Sequence, residues 1–265
     1  MADGSDVQSD TIDWGKILGE ELMLSGRAQA AFADKATETN TEGSVQKSDG
    51  EQPLAKDDKQ STVRTSHAIP SGLKLIVLYF SGRWCPACTE FDPVIRDVYA
   101  GLKSLEESSD IEIVWVSCDL SEDTYKIHMK RIGALLGAVW SPKRLQELAD
   151  RWKVKAIPTA LVLDARDGRI VTATARRDME EAKQRVMRSG SKDTRETEIY
   201  GSLMFRWLEL LDAQRAALDD GMPVKDESSD SESSEGSGQS SRSHASKASS
   251  RRNSESSAQA IADAS

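Results

Sequence analysis

Two of the three cysteines in this 265-residue chain form a Cys-x-x-Cys pair, Cys85 and Cys88, in the stretch YFSGRWCPACTEF. A cysteine thiolate is both a nucleophile toward disulfides and a metal ligand. If a helix begins at Cys85, both sulfurs lie on one face, and the unpaired N–H groups of its first turn favour a negative charge there. The pair is therefore predicted to be redox-active: Cys85 attacks a disulfide and Cys88 resolves the mixed disulfide.

The residues around the pair favour the same chemistry. Arg83 adds a positive charge two positions before Cys85, and Trp84 offers a flat apolar surface beside the sulfur. Pro158 directly precedes a predicted strand, and a cis bond there would free the backbone of Ile157 to pair with an extended substrate. A trans proline that opens the strand fits the local sequence equally well.

Two other interpretations of the pair remain open, a zinc site and an inert structural pair. Zinc needs two more ligands, and the chain offers only Cys118, His67 and His128, none at ligand-pair spacing. The prediction is therefore no metal. Cys118 ends an apolar run and is predicted to be a core or near-core residue. His67, His128 and His244 have no evident partner and are predicted to be ordinary surface residues.

Three apolar runs rich in β-branched and aromatic residues predict strands at 73–80, 111–120 and 159–165. The last run leads through the turn pair Asp167-Gly168 into a fourth, RIVTAT. Continuous apolar strands are typical of a sheet that is covered on both faces.

Apolar residues at three- and four-residue spacing predict helices at 85–105, 145–152 and 195–218. The order of elements predicts an α/β fold whose first strands are parallel and whose last two form a hairpin. The helix at 195–218 is predicted to pack on the domain's own sheet, with a partner-binding or dimerising helix as the alternative. Residues 12–32 fit either a helix or two short strands.

Composition limits the function classes. The net charge of −9 argues against a nucleic-acid binder. No run approaches the ~18 apolar residues of a membrane span, and the acidic, polar start is unlike a signal peptide. Three cysteines are few for a disulfide framework. A cytoplasmic location is therefore expected, with the nucleus or cytoskeleton as alternatives, and neither nucleic acid nor membrane as partner.

Three segments contain too few large apolar residues to form a core: 1–11, 34–66 and the Ser-rich tail 221–265. They are predicted to be disordered, the middle one as a flexible insertion. The predicted organisation is one domain over 12–190, followed by an amphipathic helix at 191–220.

The stretch LYFSGRWCPACTEFDPVIRDVY resembles the active-site signature of the thioredoxin superfamily, and within it that of the tryparedoxin and nucleoredoxin group. VWVSCDLSEDTYKIHM is similar to their next strand and acidic loop, and RLQELADRWKVKAIPTALVLDARDGRIVTATAR to their cis-proline strand and hairpin. ILGEELMLSG is similar to the opening of these domains, which favours a β-hairpin over 16–30. The resemblance covers about residues 70–190.

The resemblance implies a thioredoxin-like three-layer fold, with a central mixed sheet flanked by helices. It implies a protein-disulfide reductase with Cys85 as nucleophile, Cys88 as resolving thiol, and a redox-active disulfide between them. Substrate-binding residues are implied at four positions: Trp84, Ile157, Pro158 as the cis-proline, and Arg176, close to a basic residue that tryparedoxins use to meet their reductant.

No bound cofactor is implied, because electrons would come from an upstream NADPH-linked thiol reductant. The implied partners are that reductant and disulfide-containing proteins, with the 195–218 helix or the Ser-rich tail as a surface for a further protein. The segment GALLGAVWSPKR lacks the Pro-Trp and Pro-Phe pairs usual in the family, and Ala87 replaces a proline. The alternative function is a thioredoxin-fold binding or cytoskeletal scaffold with little redox turnover; a folding or chaperone factor is a third.

Overall fold

The computed structural model describes residues 11–24, 61–133, 135–190 and 194–220. The predictions for the N-terminal residues 1–10, for most of the insertion, for His244 and for the Ser-rich tail lie outside these residues.

Seven strands in the described residues form one mixed sheet. They are β1 (Glu21–Leu24), β2 (Ser61–Arg64), β3 (Leu75–Ser81), β4 (Ile111–Ser117), β5 (Leu136–Ala138), β6 (Thr159–Asp164) and β7 (Ile170–Thr172). Their order in the sheet is β2-β1-β5-β4-β3-β6-β7. The central strand β3 pairs parallel to β4 and antiparallel to β6, and β6 forms the predicted hairpin with β7.

Within the part of the chain that the structure describes, seven α-helices connect and cover these strands. They are α1 (Trp14–Leu18), α2 (Thr65–Ala68), α3 (Pro86–Lys103), α4 (Glu122–Ile132), α5 (Pro142–Arg151), α6 (Ala175–Ser189) and α7 (Thr194–Asp219). A short 3-10 helix, Glu106–Asp110, leads into β4. Of these, α2, α4 and α6 were not predicted as helices.

Both faces of the sheet are covered, as the continuous apolar strands predicted. Every residue of β3 and of β4 is buried. The odd-numbered residues Leu75 to Tyr79 share one core with α3, α4, α6 and α7, and the even-numbered residues Ile76 to Phe80 share the other with α1, α2 and α5. The predicted three-layer α/β fold with a central mixed sheet is therefore confirmed.

The last helix packs on this domain along its first part. Tyr200 lies over Gly101 of α3, and the indole Nε1 of Trp207 donates to the buried Asp178 carboxylate of α6 at 3.2 Å. The chain divides into two units, Met1–Leu211 and Asp212–Ser265. Of the second, the described residues 212–220 continue α7 to its end.

The start of the chain differs from the predicted hairpin over 16–30. Residues 14–18 are helical, and β1 pairs antiparallel with β2 and with β5. Trp14 stacks on Trp152, the C-cap residue of α5, at 6.1 Å, a tertiary contact that no local pattern reveals. Residues 61–66 were assigned to the flexible insertion, and this was wrong: they form β2 and the start of α2, where the buried Thr65 hydroxyl donates to the Gly19 carbonyl.

The segment that lacks the family's proline pairs forms β5, which fits between β1 and β4. A Cβ at Gly137 in this strand would come within 3.0 Å of the Met129 sulfur, so the strand passes close under α4. None of the helices in the described residues combines the length and apolar character that a membrane crossing requires.

Candidate active site

Cys85 is the N-cap residue of α3, directly after the central strand. Its sulfur accepts the backbone N–H of Cys88 at 3.4 Å, and its thiol points to the carbonyl oxygen of Ile157 at 3.7 Å. Pro86 occupies the first helical turn, where the missing N–H costs no hydrogen bond. The sequence therefore places the sulfur at the positive end of the helix, as predicted.

The two sulfurs differ in exposure. The Cys85 residue is 7% exposed and Cys88 is fully buried; both are free thiols. Burial, followed by the hydrogen bond and charge of Cys85 and the charge of Asp92, raises the pKa of the Cys88 thiol well above its ordinary value. Cys88 therefore holds its proton behind Cys85, which is the more accessible of the two buried thiols.

The loop that carries Trp84 is fixed by the segment after β4. Trp84 is 42% exposed, and its indole Nε1 donates to the carbonyl oxygen of Cys118 at 2.8 Å. A Cβ at Gly82 would come within 2.7 Å of that nitrogen, so a glycine is needed there. The backbone N–H of Arg83 donates to Asp119 at 2.7 Å. The apolar ring of Trp84 is thus fixed in a solvent-exposed position next to Cys85 in the chain.

Ile157 and Pro158 lie against the cysteine pair, although they are far away in sequence. The Ile157–Pro158 bond is cis, as the resemblance implied, and Pro158 is buried just before β6. The pairing of β6 with β3 brings the Ile157 carbonyl to Cys85. The structure therefore brings the Ile157 carbonyl to the Cys85 sulfur, with Trp84 and Pro158 as their chain neighbours.

Arg176 lies in the first turn of α6. Its guanidinium stands 5.7 Å from the centre of the Phe91 ring, and its Nε donates to Glu180 at 2.9 Å. The side chain is 42% exposed. Its role toward a reductant stays a prediction.

Cys118 is half-buried at the edge of the second core, which confirms the near-core prediction. Burial, followed by the negative charges of Asp119 and Cys85, raises the pKa of its thiol to about 12. At neutral pH Cys118 is therefore a protonated, unreactive thiol. Among the described residues, no three His, Cys, Asp or Glu side chains are arranged to bind a metal ion.

The surface prediction for His128 was wrong. His128 is fully buried on α4, on the same face as Tyr125, Met129 and Ile132. The sequence carried the signal for this: Ser121 begins a capping box, and positions 125, 128, 129 and 132 follow the helical period. His67 is exposed on α2, as predicted.

His128 bridges two buried carboxylates, which the sequence analysis did not identify. Its Nδ1 lies 2.9 Å from Asp119 Oδ2 and its Nε2 lies 3.1 Å from Asp92 Oδ2. The Tyr79 hydroxyl donates to Asp92 Oδ1, and the Ser117 hydroxyl donates to Asp119, both at 2.8 Å. We call Asp92, His128 and Asp119 the buried triad. Asp92 lies one helical turn beyond Cys88, so the triad adjoins the resolving thiol.

Burial by itself opposes charge on the imidazole. The hydrogen bonds and negative charges of Asp119 and Asp92 outweigh this and raise the pKa of His128 above its ordinary value. For Asp119, burial raises the pKa, but the hydrogen bonds from His128 and from the Arg83 N–H lower it overall. The raised pKa of His128 and the lowered pKa of Asp119 both favour a charged imidazolium beside an ionised carboxylate.

A raised histidine pKa makes stability depend on pH. Folding binds this proton more tightly than the unfolded chain does, so the stabilisation is complete below about pH 6.5 and is lost as pH rises through the raised pKa. We expect the free energy of unfolding, measured with urea, to fall as the pH rises above about 6.5, and to fall more steeply in the wild type than in His128→Asn. His67→Asn is the matched control and should keep the wild-type slope; equal slopes in all three proteins would contradict the assignment.

Comparison with known proteins agrees with this geometry. The family described as Thioredoxin-like matches residues 72–170. The nucleoredoxin of Bos taurus is 32% identical over 99 residues, which are 37% of this chain and 22% of that protein. The tryparedoxin of Trypanosoma brucei brucei is 29% identical over 103 residues, which are 39% of this chain and 69% of that protein.

Among solved structures, tryparedoxin II from C. fasciculata is 28% identical, with a TM-score of 0.41 over 46% of this chain and 79% of that chain. The chain spans less than a third of the length of the nucleoredoxins it matches. The matched residues contain the cysteine pair, the cis-proline and the three members of the buried triad. Residues 72–170 thus form a thioredoxin-like domain, similar to those of tryparedoxin and nucleoredoxin.

Proposed function

We propose that this protein is a thiol–disulfide oxidoreductase that reduces disulfides in protein substrates. One observation carries the proposal: the Cys85 sulfur lies at a helix N-terminus and keeps a small exposed fraction of 7%, three residues before a fully buried second thiol. This arrangement separates an attacking thiol from a resolving one. The similarity to tryparedoxin and nucleoredoxin supports the same chemistry.

The reaction takes place in two exchanges. The Cys85 thiolate attacks one substrate sulfur, the substrate S–S bond breaks, and one substrate thiol leaves. Cys88 then gives up its proton and attacks the Cys85 sulfur, so the second substrate thiol leaves and a Cys85–Cys88 disulfide remains. The substrate gains two electrons and two protons. An upstream thiol reductant, itself supplied by NADPH, restores the dithiol by the reverse exchanges.

The surroundings of Cys85 have defined roles in this proposal. The N–H of Cys88 and the helix N-terminus stabilise negative charge on the Cys85 sulfur. When that sulfur bonds to substrate, its thiol no longer donates to Ile157, and the carbonyl is free to accept a backbone N–H of the bound chain. The exposed ring of Trp84 would contact apolar side chains of the substrate, and Arg176 an acidic group on the reductant.

The test is the reduction of the interchain disulfides of insulin by dithiothreitol, with and without this protein. We expect the wild type to accelerate the reaction and Cys85→Ser to leave it at the uncatalysed rate, because a hydroxyl cannot take part in disulfide exchange. Cys118→Ser is the matched control and should keep wild-type turnover. A wild-type protein that adds nothing to dithiothreitol alone would favour the binding-scaffold alternative.

A further inference from the structure

We propose that His128 is a positioning residue for the resolving thiol: held as an imidazolium between Asp92 and Asp119, it offsets their negative charge behind Cys88 and sets the pH range in which Cys88 attacks. This inference rests on the proposed function, and it names a residue through which that activity is tuned.

The hydrogen bonds fix the proton count of the buried triad. A neutral imidazole has one N–H, so it can donate to only one carboxylate. Both ring nitrogens of His128 lie within 3.1 Å of a carboxylate oxygen. The remaining contacts are donors to those carboxylates, from Tyr79 to Asp92 and from the Arg83 N–H to Asp119, as ionised carboxylates require. These contacts, together with the raised pKa of His128, therefore favour an imidazolium between the two carboxyl groups.

The charge of the buried triad affects the ionisation of Cys88. Asp92 lies four residues beyond Cys88 on α3, which puts both on one side of the helix. Both are buried, so their interaction is weakly screened. Burial is the main cause of the raised pKa of Cys88, and Cys85 and the negative charge of Asp92 add to it. Burial likewise raises the pKa of Tyr79 most, followed by Asp92 and, least, by Cys88.

Other charged and titratable groups face His128 from each neighbouring element. Asp92 and Cys88 come from α3, Asp119 from the segment after β4, and Tyr79 from β3. On α4 itself, the Arg131 Nε lies 3.9 Å from Asp92, but its side chain is 42% exposed. Solvent screens the Arg131 charge, whereas the charge of a fully buried imidazolium is screened much less.

The consequence concerns the second exchange. Cys88 must lose its proton before its sulfur bonds to Cys85; the bond from Cys85 to the substrate sulfur then breaks, and the departing thiolate takes up a proton. Without the imidazolium, the carboxylates oppose negative charge on Cys88 more strongly. The pH midpoint of the resolution step therefore rises, whereas the pH dependence of the attack by Cys85 stays the same.

The two exchanges can be followed separately with 5,5'-dithiobis(2-nitrobenzoate) and the reduced full chain. Attack by Cys85 releases a first thionitrobenzoate and leaves a mixed disulfide; resolution by Cys88 releases a second. In His128→Asn we expect the pH midpoint of the second release to rise by about one unit, about tenfold in rate below the midpoint. The first release keeps its wild-type pH dependence.

Three further variants complete the test. Cys88→Ser identifies the second release by losing it, and His67→Asn controls for the removal of a histidine. Asp92→Asn removes the negative charge itself, so the midpoint should move to lower pH, which tests the inference even if His128→Asn does not fold. An unshifted second release in folded His128→Asn or Asp92→Asn would overturn the inference alone. A missing first release in the wild type would overturn the proposed function as well.

Discussion

Replacing Cys88 with Ser should convert a transient intermediate into the end product of the reaction. In the Cys88→Ser protein, Cys85 still attacks a substrate disulfide, but no second thiol lies behind it to complete the exchange. We expect a mixed disulfide between Cys85 and the substrate to accumulate to nearly one per protein. Multiple turnover should fall to the uncatalysed rate. Non-reducing gels and intact-mass measurement detect the adduct directly.

Two variants make this experiment specific. Cys85→Ser should form no adduct, because the remaining thiol at Cys88 is fully buried and holds its proton. Cys118→Ser in the Cys88→Ser background should form as much adduct as Cys88→Ser alone, because the Cys118 thiol is also protonated at neutral pH. An adduct that needs Cys118, or one that forms at Cys88, would show that the attacking thiol was assigned incorrectly.

Placing an alanine at Gly101 should destabilise the fold more than its small size suggests. Gly101 lies in α3 where α7 crosses it, and a Cβ there would overlap the ring of Tyr200. In an open helix the change from glycine would stabilise by about 1 kcal/mol, but overpacking in a core costs about 1–3 kcal/mol or more. Because the overlap is with a fully buried ring, we expect Gly101→Ala to lower the free energy of unfolding by about 2 kcal/mol.

Gly201 provides the matched control on the facing helix. A Cβ at Gly201 would meet only Leu105, at 3.8 Å, which is an ordinary contact. Gly201→Ala should therefore gain up to about 1 kcal/mol from helix propensity. Thermal unfolding distinguishes the two variants. The midpoint temperature of Gly101→Ala should be about 4–8 °C below that of the wild type, and that of Gly201→Ala should be unchanged or higher. Equal behaviour of the two variants would mean that α7 does not pack on α3 as described.

Much of the site depends on patterns that are local in the chain. The apolar run before Ser81 predicts the buried strand, and the spacing of Phe91, Ile95 and Leu102 predicts the helix that follows Cys85. A strand followed at once by a helix puts the first cysteine at a helix N-terminus wherever the rest of the chain goes. The two thiols and their order could therefore be predicted from the sequence.

The partners of His128 could not be predicted in this way. Asp92, Asp119 and His128 come from α3, from the segment after β4 and from α4, and they meet only because α4 packs over β4 beside α3. A histidine among charged residues is predicted to lie at the surface, because burying its charge is too costly unless other groups pair with it or form hydrogen bonds to it. Those partners were supplied by elements up to 36 residues away.

Short runs of residue types predict the cysteine pair, the strand before it and the helix after it. The cis form of Pro158 came from the family resemblance alone, because a trans proline fits the same local sequence. Tertiary structure alone decided three other features: the pairing of β1 with β2 and β5, the packing of Tyr200 over Gly101, and the buried triad behind Cys88. Each of these joins groups whose chemistry is compatible with many partners, and only the packed chain brings one partner within hydrogen-bonding or van der Waals distance.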